Sequence, residues 1–476
     1  MIRPHLGASA ALICLLATNL QVLALGAADS ELDQALSGFD EPEQDSDLDA
    51  ALEGFDNPSG DTHAPTDTQP LSGDHWRLSG DLWLSGAWNY AHSRPDPGET
   101  DWRGLSQLRV NARPELLFDL GAGWDANIRV NAFYDFAYSI NGRSDYTSQV
   151  LREYESELEL QDTFVRGSLN DWLDLKLGRQ IVVWGKSDNL RVVDVLNPLD
   201  QRQPGVTDIE NLRLPVTMSR LDAYRGDWSL SGLVLHEIRF DKLPVLGSEF
   251  YPWSMPLPDE DVPDDGGSNT EYALALSGIM PGWDISFHLA RLFDDTAHLE
   301  IGDNRVKRVH SRLHMAGFAT NAVLGNWLLK SEIAHLDGLE FAPAPGETFA
   351  RTDALLGVDY NGFDNATLTL ESAIRHLHDY DPKLKQGQLP VERNRVETAF
   401  RYSADFYHER WNVVLVATRY GESLDEGGIT RAQFTYELRQ ALELTAGVVA
   451  YHSADQLPFQ AISNNDRIFA ELRFSF

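Results

Sequence analysis

Apolar and polar residues alternate along most of the chain, from Arg77 to Phe476. The last ten residues show the pattern well: every second residue is apolar, and the residues between them include Arg467, Glu471 and Arg473. A period of two predicts β-strands. The second face of these strands carries too many charges for a packed core, so we expect apolar side chains against lipid and charged side chains around a bore.

Two kinds of connection separate the strands. Longer polar connections occur at residues 93–103, 140–154, 185–216, 240–270, 295–307 and 377–393. Between them, tight turns deliver a tryptophan to the start of the next strand, at Trp124, Trp172, Trp228, Trp283, Trp327 and Trp411. Short turns at one end and long loops at the other are typical of bacterial outer-membrane barrels. Tryptophan at the short-turn end predicts an aromatic girdle at the membrane interface.

The alternating segment, residues 76–476, divides into eighteen strands, with an uncertainty of about two because strand boundaries are poorly marked in a single sequence. The predicted fold class is all-β, a transmembrane antiparallel β-barrel of about 18 strands. A large soluble β-sandwich, propeller or β-helix is the alternative. A sandwich, however, does not sort its turns into a short set and a long set.

The first 26 residues predict a secretory signal peptide. Arg3 precedes an apolar run from Leu6 to Leu25, and small residues follow. The single cysteine of the chain, Cys14, lies within this run, so the exported protein is expected to contain neither a disulfide nor a thiolate site. Together with the barrel pattern, this predicts the cell outer membrane of a Gram-negative bacterium as the location.

Residues 27–75 contain fourteen Asp and Glu but no Lys or Arg, which predicts a disordered acidic arm in the periplasm. A motif within the arm occurs twice, at residues 31–40 and 47–56. Each copy places Leu, Leu and Phe at i, i+4 and i+7, one stripe of a short helix. This arrangement predicts docking to a partner groove through Leu32, Leu36, Phe39, Leu48, Leu52 and Phe55. A duplicated solubilising spacer that binds nothing is the alternative.

The overall charge narrows the choice of partners. The chain has 39 Lys and Arg against 73 Asp and Glu, a formal charge of −34. Such a charge excludes non-specific nucleic-acid binding, which requires a basic face. We therefore expect the lipid bilayer, and a periplasmic or inner-membrane transporter bound through residues 31–56, as the partners.

The segment LGRQIVVWG at residues 177–185, followed by NPLD at 197–200, resembles a proteobacterial outer-membrane family catalogued as a domain of unknown function. The match is specific over about residues 170–255. The resemblance implies an outer-membrane barrel associated with inner-membrane exporters of the resistance-nodulation-division type. Alginate-export barrels are similar in architecture and share a Gly-Arg-Gln-like strand end, which keeps the export of an acidic polymer among the implied functions.

The same segment predicts how the bore is narrowed. A long connection of mixed charge, residues 185–216, follows an early strand, and we expect it to fold into the lumen. Capping of the barrel from outside is the alternative. The motif and loop candidates are Gly178, Arg179, Gln180, Trp184, Gly185, Lys186, Arg191, Asn197, Pro198 and Asp200.

Charged residues on the predicted inner face are candidates for selectivity: Arg109, Arg113, Arg129, Arg312, Arg395, Arg401, Arg431, Glu157 and Glu159. Arginine around a bore favours anionic solutes. Cross-strand Arg–Glu ladders that only stiffen the wall are the alternative, and they account for most of these residues.

The sequence therefore predicts a porin-like outer-membrane channel, which passes a solute in export or uptake together with the partner recruited by the arm. A non-conducting scaffold that holds a periplasmic protein is the alternative, and an outer-membrane hydrolase is a third. We expect no enzyme and no cofactor, because the sequence lacks a phosphate loop, a nucleophile elbow and a haem attachment pair. We also expect no metal, because the pairs His310/His314 and His376/His378 lack a third ligand.

Overall fold

The computed structural model describes residues 71–73, 75–207, 209–253, 255–301, 305–386, 390–455 and 457–476. The predicted signal peptide, and the predicted arm as far as residue 70 with both repeats and all six docking residues, lie outside these ranges.

Most of the described chain forms β-strands, and a few short helices lie in the loops. The strands are β1 (Leu71–Gly73), β2 (Trp76–Asn89), β3 (Gly104–Gly121), β4 (Trp124–Asp135), β5 (Ser156–Asn170), β6 (Leu173–Gln180), β7 (Val216–Arg225), β8 (Trp228–Leu235), β9 (Glu271–Met280), β10 (Trp283–Phe293), β11 (His298–Ile301), β12 (Val306–Val309), β13 (Arg312–Leu324), β14 (Trp327–Glu340), β15 (Thr348–Phe363), β16 (Ala366–Leu377), β17 (Asn394–Phe406), β18 (Trp411–Tyr420), β19 (Gly428–Arg439), β20 (Leu442–His452) and β21 (Arg467–Ser475). The helices are α1 (Ala137–Asn141), α2 (Ser148–Tyr154) and α3 (Phe459–Ile462). Single 3₁₀ turns occur at Arg143–Asp145, Ile209–Leu212, Gly267–Asn269 and Pro382–Lys385.

The strands form a closed antiparallel barrel. In the part of the chain that the structure describes, β2–β10 and β13–β21 make up eighteen barrel strands, each paired with the next along the chain. The first and last barrel strands also pair, from Asp81 opposite Ser475 to Asn89 opposite Arg467, which closes the ring. The predicted 18-strand transmembrane barrel is confirmed.

Three elements lie outside the ring. β1, within the last residues of the predicted arm, pairs antiparallel with the start of β2, so the folded unit begins before residue 76. β11 and β12 form a separate hairpin in the loop between β10 and β13. No helix in the described ranges is long and apolar enough to cross a membrane.

Alternating side chains give the barrel wall an apolar outer face. Residues at every second position along the strands are large, apolar and solvent-exposed, among them Leu82, Leu84, Val110, Leu158, Leu230, Leu356, Ile468 and Leu472. Strands β4, β8, β10, β14 and β18 begin at tryptophan, as predicted, and Trp172 directly precedes β6. The tryptophans mark the short-turn end of the barrel, and we refer to the opposite end as the long-loop end.

Three strands end four residues earlier at the long-loop end than the sequence predicts. The alternation predicts strands over residues 124–139, 172–184 and 228–239, whereas β4 ends at Asp135, β6 at Gln180 and β8 at Leu235. After Asp135 the chain forms α1, and after Gln180 the residues Ile181–Trp184 belong to a loop. β-branched and aromatic residues predict strand in both places, but Tyr138, Val182 and Trp184 are buried in apolar clusters with loop residues instead of extending the wall.

Candidate functional site in the constricted bore

The connection from β6 to β7, residues 181–215, lies inside the barrel, and we call it the inner loop. It crosses from β6 to strands almost opposite in the ring, where β14 and β16 present glutamates on the inner face. Glu332 on β14 accepts hydrogen bonds from the backbone nitrogens of Lys186, Ser187 and Val193, at 2.5, 2.8 and 3.3 Å. Its side chain is buried, so its charge is balanced by oriented N–H groups of the loop.

Glu371 on β16 holds the next turn of the inner loop. Its carboxylate accepts from the Ser187 hydroxyl at 2.7 Å and from the backbone nitrogens of Asp188 and Asn189 at 3.0 Å each. The Asn189 side-chain amide also donates, at 3.1 Å. Glu371 is 0 % exposed, and these four hydrogen bonds replace the water that burial removes from its carboxylate.

Two lysines complete this contact. Lys330 on β14 forms ion pairs with Asp359 on β15 at 2.9 Å and with Asp188 of the inner loop. Lys186 of the loop reaches the wall at Asp284 on β10, at 2.8 Å. The middle of the inner loop is therefore attached to β10, β14 and β16.

Side chains of the inner loop also fix its own path. Asn197, fully buried, accepts from the backbone nitrogen of Val182 at 2.8 Å and donates to the carbonyl of Leu214 at 2.9 Å. Asp194 accepts from the Trp184 nitrogen at 3.2 Å and pairs with Arg213 at 2.9 Å. The two ends of the loop are thus held together where it leaves and rejoins the wall.

Further motif residues support this path. Arg191 donates to the carbonyl of Asn197 at 2.7 Å, and Pro198 accepts from the backbone nitrogen of Leu214 at 2.7 Å. Gln180, at the end of β6, donates to the carbonyl of Met218 at 3.2 Å.

Two glycines of the family motif occupy places that no side chain could share. A Cβ at Gly185 would lie 2.8 Å from Glu332 Oε1, and the residue has a φ of +94°. A Cβ at Gly178 would lie 2.4 Å from the carbonyl oxygen of Thr163, with a φ of +130°. Only glycine adopts these positions without strain.

The first part of the connection from β8 to β9, residues 236–250, also packs inside the long-loop half of the barrel, and we call it the bracing loop. Its Lys242 pairs with Glu157 and Glu159 on β5, each at 3.1 Å, and its Arg239 also pairs with Glu159. Arg202 of the inner loop pairs with Glu157 at 2.8 Å. The predicted lumen acids Glu157 and Glu159 therefore hold both loops to the wall, and Arg179 lies 3.7 Å from Glu159.

The far end of the bracing loop is attached where the barrel closes. Glu249 pairs with Arg467 on β21 at 3.0 Å and accepts from the amide of Asn89 on β2 at 2.8 Å. The Arg467 guanidinium also lies over the ring of Phe250, 4.8 Å from its centroid. Both members of the ion pair are almost fully buried.

Burial changes the acidity of carboxyls where the two loops meet. Burial raises the pKa of Asp241 to about 6, although it accepts from the Leu199 nitrogen at 2.7 Å. Burial, with repulsion from Asp241, raises the pKa of Asp295. Burial also tends to raise the pKa of Asp200. The hydrogen bonds from Arg202 outweigh this effect, and the pKa of Asp200 is lowered. Asp200 is thus the carboxylate of the loop junction that is stabilised in its ionised form.

Most predicted lumen arginines have partners on the wall. Arg109 lies 3.4 Å from Asp135, and Arg129 lies 2.7 Å from Glu115. Arg395, at the long-loop rim, pairs with Glu397 at 3.2 Å. Three further arginines lie at inner-face positions. Arg113 lies over the ring of Trp83, and Arg431 lies over the ring of Phe469. For Arg401 the described residues provide no ion pair.

Arg312 lies on the outer face, and its predicted place in the lumen is wrong. It shares a strand face with His314 and with Phe318, which packs on Phe287 of the outer face. The inner positions of this part of β13 are Leu313 and Met315, both buried. They are apolar because the loops fill the bore here, so the rule of apolar residues outside and polar residues inside is reversed.

A polar cavity of about 160 Å³ lies beneath the inner loop, on its short-turn side. One wall is the start of the loop, including Trp184 and Lys186, and the other is the inner face of β7–β10. Among the lining groups are the cations Lys186 and Arg220, the His288 ring, and the hydroxyls of Ser229, Ser231, Ser277 and Ser286. The carboxylates that pair with these cations, Asp284 and Asp222, do not line it.

The His288 ring closes one side of this cavity. It packs on Trp184, with ring centroids 4.6 Å apart, and its Nε2 lies 2.9 Å from the Ser286 hydroxyl. Its Nδ1 is buried and has no hydrogen-bond partner among the described residues. No group of three or more His, Cys, Asp or Glu in the described chain is placed to hold a metal. The cavity can therefore offer hydrogen-bond donors and positive charge to a small solute.

Sequence analysis did not single out Glu332, Glu371, Lys330, Glu249, Arg220 or His288. Each occupies an ordinary polar position in an alternating strand or a polar loop, so the pattern assigns it no special role. The only local signal is the paired charge in Lys330-Ser331-Glu332, which recurs in many strands.

A family model described as "Protein of unknown function (DUF1302)" matches residues 7–476. The chain belongs to this family. The resemblance found over residues 170–255 therefore extends across the barrel. No protein of curated function matches the DUF1302 chain.

Solved structures share the fold of this DUF1302 protein. A crystal structure of OccAB2 from Acinetobacter baumannii has a TM-score of 0.50 at 11 % identity, covering 86 % of this chain and 99 % of that chain. OpdK from Pseudomonas aeruginosa, crystallised with vanillate, has a TM-score of 0.49 at 9 % identity, covering 84 % and 98 %. The fold is that of Gram-negative outer-membrane porins, and the outer face contacts lipid. The exporter association and the similarity to alginate-export barrels stay predictions.

Proposed function

We propose that this DUF1302 barrel is a passive outer-membrane channel for small hydrophilic anions, narrowed by the inner loop. The observation that carries the proposal is the cavity beneath that loop, which is lined by Lys186 and Arg220 but not by the aspartates that pair with them. Charged groups at a constriction select the sign of the solute that passes. The cavity volume suits a solute of a few carbon atoms bearing a carboxylate and hydroxyls.

The direction of flow follows from concentration, because no part of this mechanism uses energy. Short turns face the periplasm in outer-membrane barrels, so a solute from outside meets the two loops first and the cavity afterwards. Both loops are fastened to the wall by ion pairs of buried arginines, the inner loop through Arg202 and Glu157 and the bracing loop through Glu249 and Arg467, which favours a fixed aperture over a gate. A fixed aperture lets the solute pass in either direction, in export or in uptake.

Neutralising the cavity should abolish the preference for anions. In planar bilayers under a KCl gradient, we expect the wild-type reversal potential to show anion preference and the variant K186Q/R220Q to lose it. The control K383Q/R152Q removes the same charge from two exposed loop residues and should leave the reversal potential unchanged. A cation-selective wild type would contradict the proposal, as would equal shifts in both variants.

We propose further that the acidic arm recruits the periplasmic or inner-membrane partner through its two repeats. The supporting observation is the duplicated stripe of Leu and Phe, which a solubilising spacer does not require. Two copies also raise the local concentration of the motif at one partner.

Replacing all six docking residues by alanine should remove a crosslinked partner without changing conductance. The measurement is mass spectrometry after crosslinking from a photoreactive residue at position 44, between the repeats. A matched variant with six alanine substitutions among the polar residues of 57–69 should keep the partner. Crosslinks that survive the loss of both repeats would identify the arm as a spacer.

A further inference from the structure

Polar side chains interrupt the lipid-facing surface of β10, β13 and β14 near the long-loop end. Across β10, β13 and β14, the outer-face residues Arg291, His314 and Asp337 stand opposite one another in one row. The next row toward the short-turn end contains three residues that also stand opposite one another, Leu289, Ala316 and His335. The second row continues with Thr352, His376 and Asn394 on β15, β16 and β17.

These rows surround a groove on the outside of the barrel, with a volume of about 490 Å³. Its floor is apolar and includes Leu274, Leu289 and Ala316, where the small alanine leaves room between larger neighbours. Arg291, His314 and His335 line its long-loop end, together with one acid, Asp337. The groove thus has an apolar floor and a basic end. An anionic lipid has the matching division, because its acyl chain is apolar and its headgroup is negatively charged.

The depth of the basic end agrees with a headgroup. Arg291 follows Trp283 by eight positions, and His335 follows Trp327 by eight. Eight strand residues span about 27 Å, and a tilt of about 40° reduces the rise to roughly 20 Å. Because the apolar band of such barrels is about 25 Å tall, these side chains lie at its far edge, where lipid phosphates begin.

Arg291 is the group that most needs an external partner. Its side chain makes no hydrogen bond or ion pair with the described chain, although it lies at the lipid boundary. By contrast Arg419, on the outer face of β18, donates to the carbonyls of Thr418 and Ile429 at 2.9 and 3.3 Å and to the Thr430 hydroxyl at 3.0 Å. One outer-face arginine is satisfied by protein acceptors, and the other is left to the membrane.

His335 of the groove is held in place by its neighbours. His335 Nδ1 lies 3.0 Å from the Thr352 hydroxyl, which lies 2.7 Å from His378 Nε2. The rings of His335 and His378 are 5.7 Å apart. The acidic group in the row of Arg291 and His314 is Asp337, and His314 stands between it and Arg291.

We propose that this groove binds a phosphorylated lipid of the outer leaflet. Its phosphate would accept hydrogen bonds from Arg291 and from the ring N–H groups of His314 and His335, and an acyl chain would lie over Leu289 and Ala316. Charge-assisted hydrogen bonds to phosphate are strong where water is scarce. The site is independent of the bore, so it holds whether or not the barrel conducts.

Native mass spectrometry of the full barrel in detergent tests the site, with bisphosphorylated lipid A as the probe. We expect lipid A to stay bound to the wild type, and the variant R291Q/H335Q to bind at least tenfold less. The matched control R419Q removes an outer-face arginine whose donors are already used, and it should bind as the wild type does. Far-UV circular dichroism shows whether each variant keeps its strands.

Two further probes distinguish the sources of phosphate. Dephosphorylated lipid A should bind weakly, and inorganic phosphate at millimolar concentration should not displace lipid A. Equal binding by wild type and R291Q/H335Q, or an equal loss in R419Q, would overturn the proposal. Strong binding of the dephosphorylated lipid, or displacement by phosphate alone, would overturn it as well.

Discussion

Replacing Glu332 and Glu371 together by glutamine should raise the single-channel conductance several-fold. The two carboxylates accept seven hydrogen bonds from the inner loop, all from residues 186–193. Glutamine keeps one acceptor oxygen but turns an NH₂ group toward backbone N–H donors, which repel it. Because a hydrogen bond to a charged group contributes about 1.5–3 kcal/mol, the loss is large enough to release the loop. The measurement is the current step in planar bilayers.

The matched control for this release is E115Q. Glu115 is an inner-face glutamate that pairs with Arg129 of the neighbouring strand and has no contact with the inner loop. It should change conductance little, because its partner Arg129 also belongs to the wall. If E332Q/E371Q folded and conducted as the wild type does, the inner loop would not limit the current.

Replacing Arg467 by alanine should lower the free energy of unfolding by about 3–5 kcal/mol, because it leaves the Glu249 carboxylate buried without its partner. Arg467 is 1 % exposed and also packs on Phe250 and Tyr451. The loss should detach the bracing loop from the closing strands β2 and β21. Equilibrium urea unfolding in lipid vesicles measures the change.

The double variant R467M/E249Q separates charge from packing. Replacing both members of a buried ion pair by uncharged residues of similar size is often close to neutral, so we expect it to recover most of the stability lost in R467A. Asn89 can still donate to the glutamine oxygen. A loss below about 1 kcal/mol in R467A, typical of an exposed position, would show that the pair does not secure the loop.

The sequence predicted the barrel wall well because the signal there is local. Alternation identifies strands such as Ala366–Leu377. A tryptophan after a tight turn marks the first residue of a strand, as at Trp283 of β10 and Trp327 of β14. Antiparallel neighbours joined by short turns follow directly from that order.

The contents of the bore were predictable only in part. Sequence analysis placed residues 185–216 in the lumen but did not place the bracing loop there, and it did not identify Glu332 and Glu371, which hold the inner loop. Glu332 and Lys186 lie 146 positions apart in the chain, and no local pattern connects them. Contacts of this range depend on how the closed ring brings β6 opposite β16.

Arg312 shows why face assignment fails near the long-loop end. The rule that charged residues face a barrel's interior assumes water inside. Where the inner loop fills the bore, Leu313 and Met315 face inward and pack with Val193, so polar residues such as His314 face the membrane boundary instead. The same reversal creates the basic end of the lipid groove.

The most direct test of the account is the single-channel current of the purified barrel in a planar bilayer. The account predicts discrete, stable current steps from the wild type, carried mainly by anions. An inserted and folded barrel that stays sealed, both as wild type and as E332Q/E371Q, would contradict it and would favour a scaffold that conducts nothing.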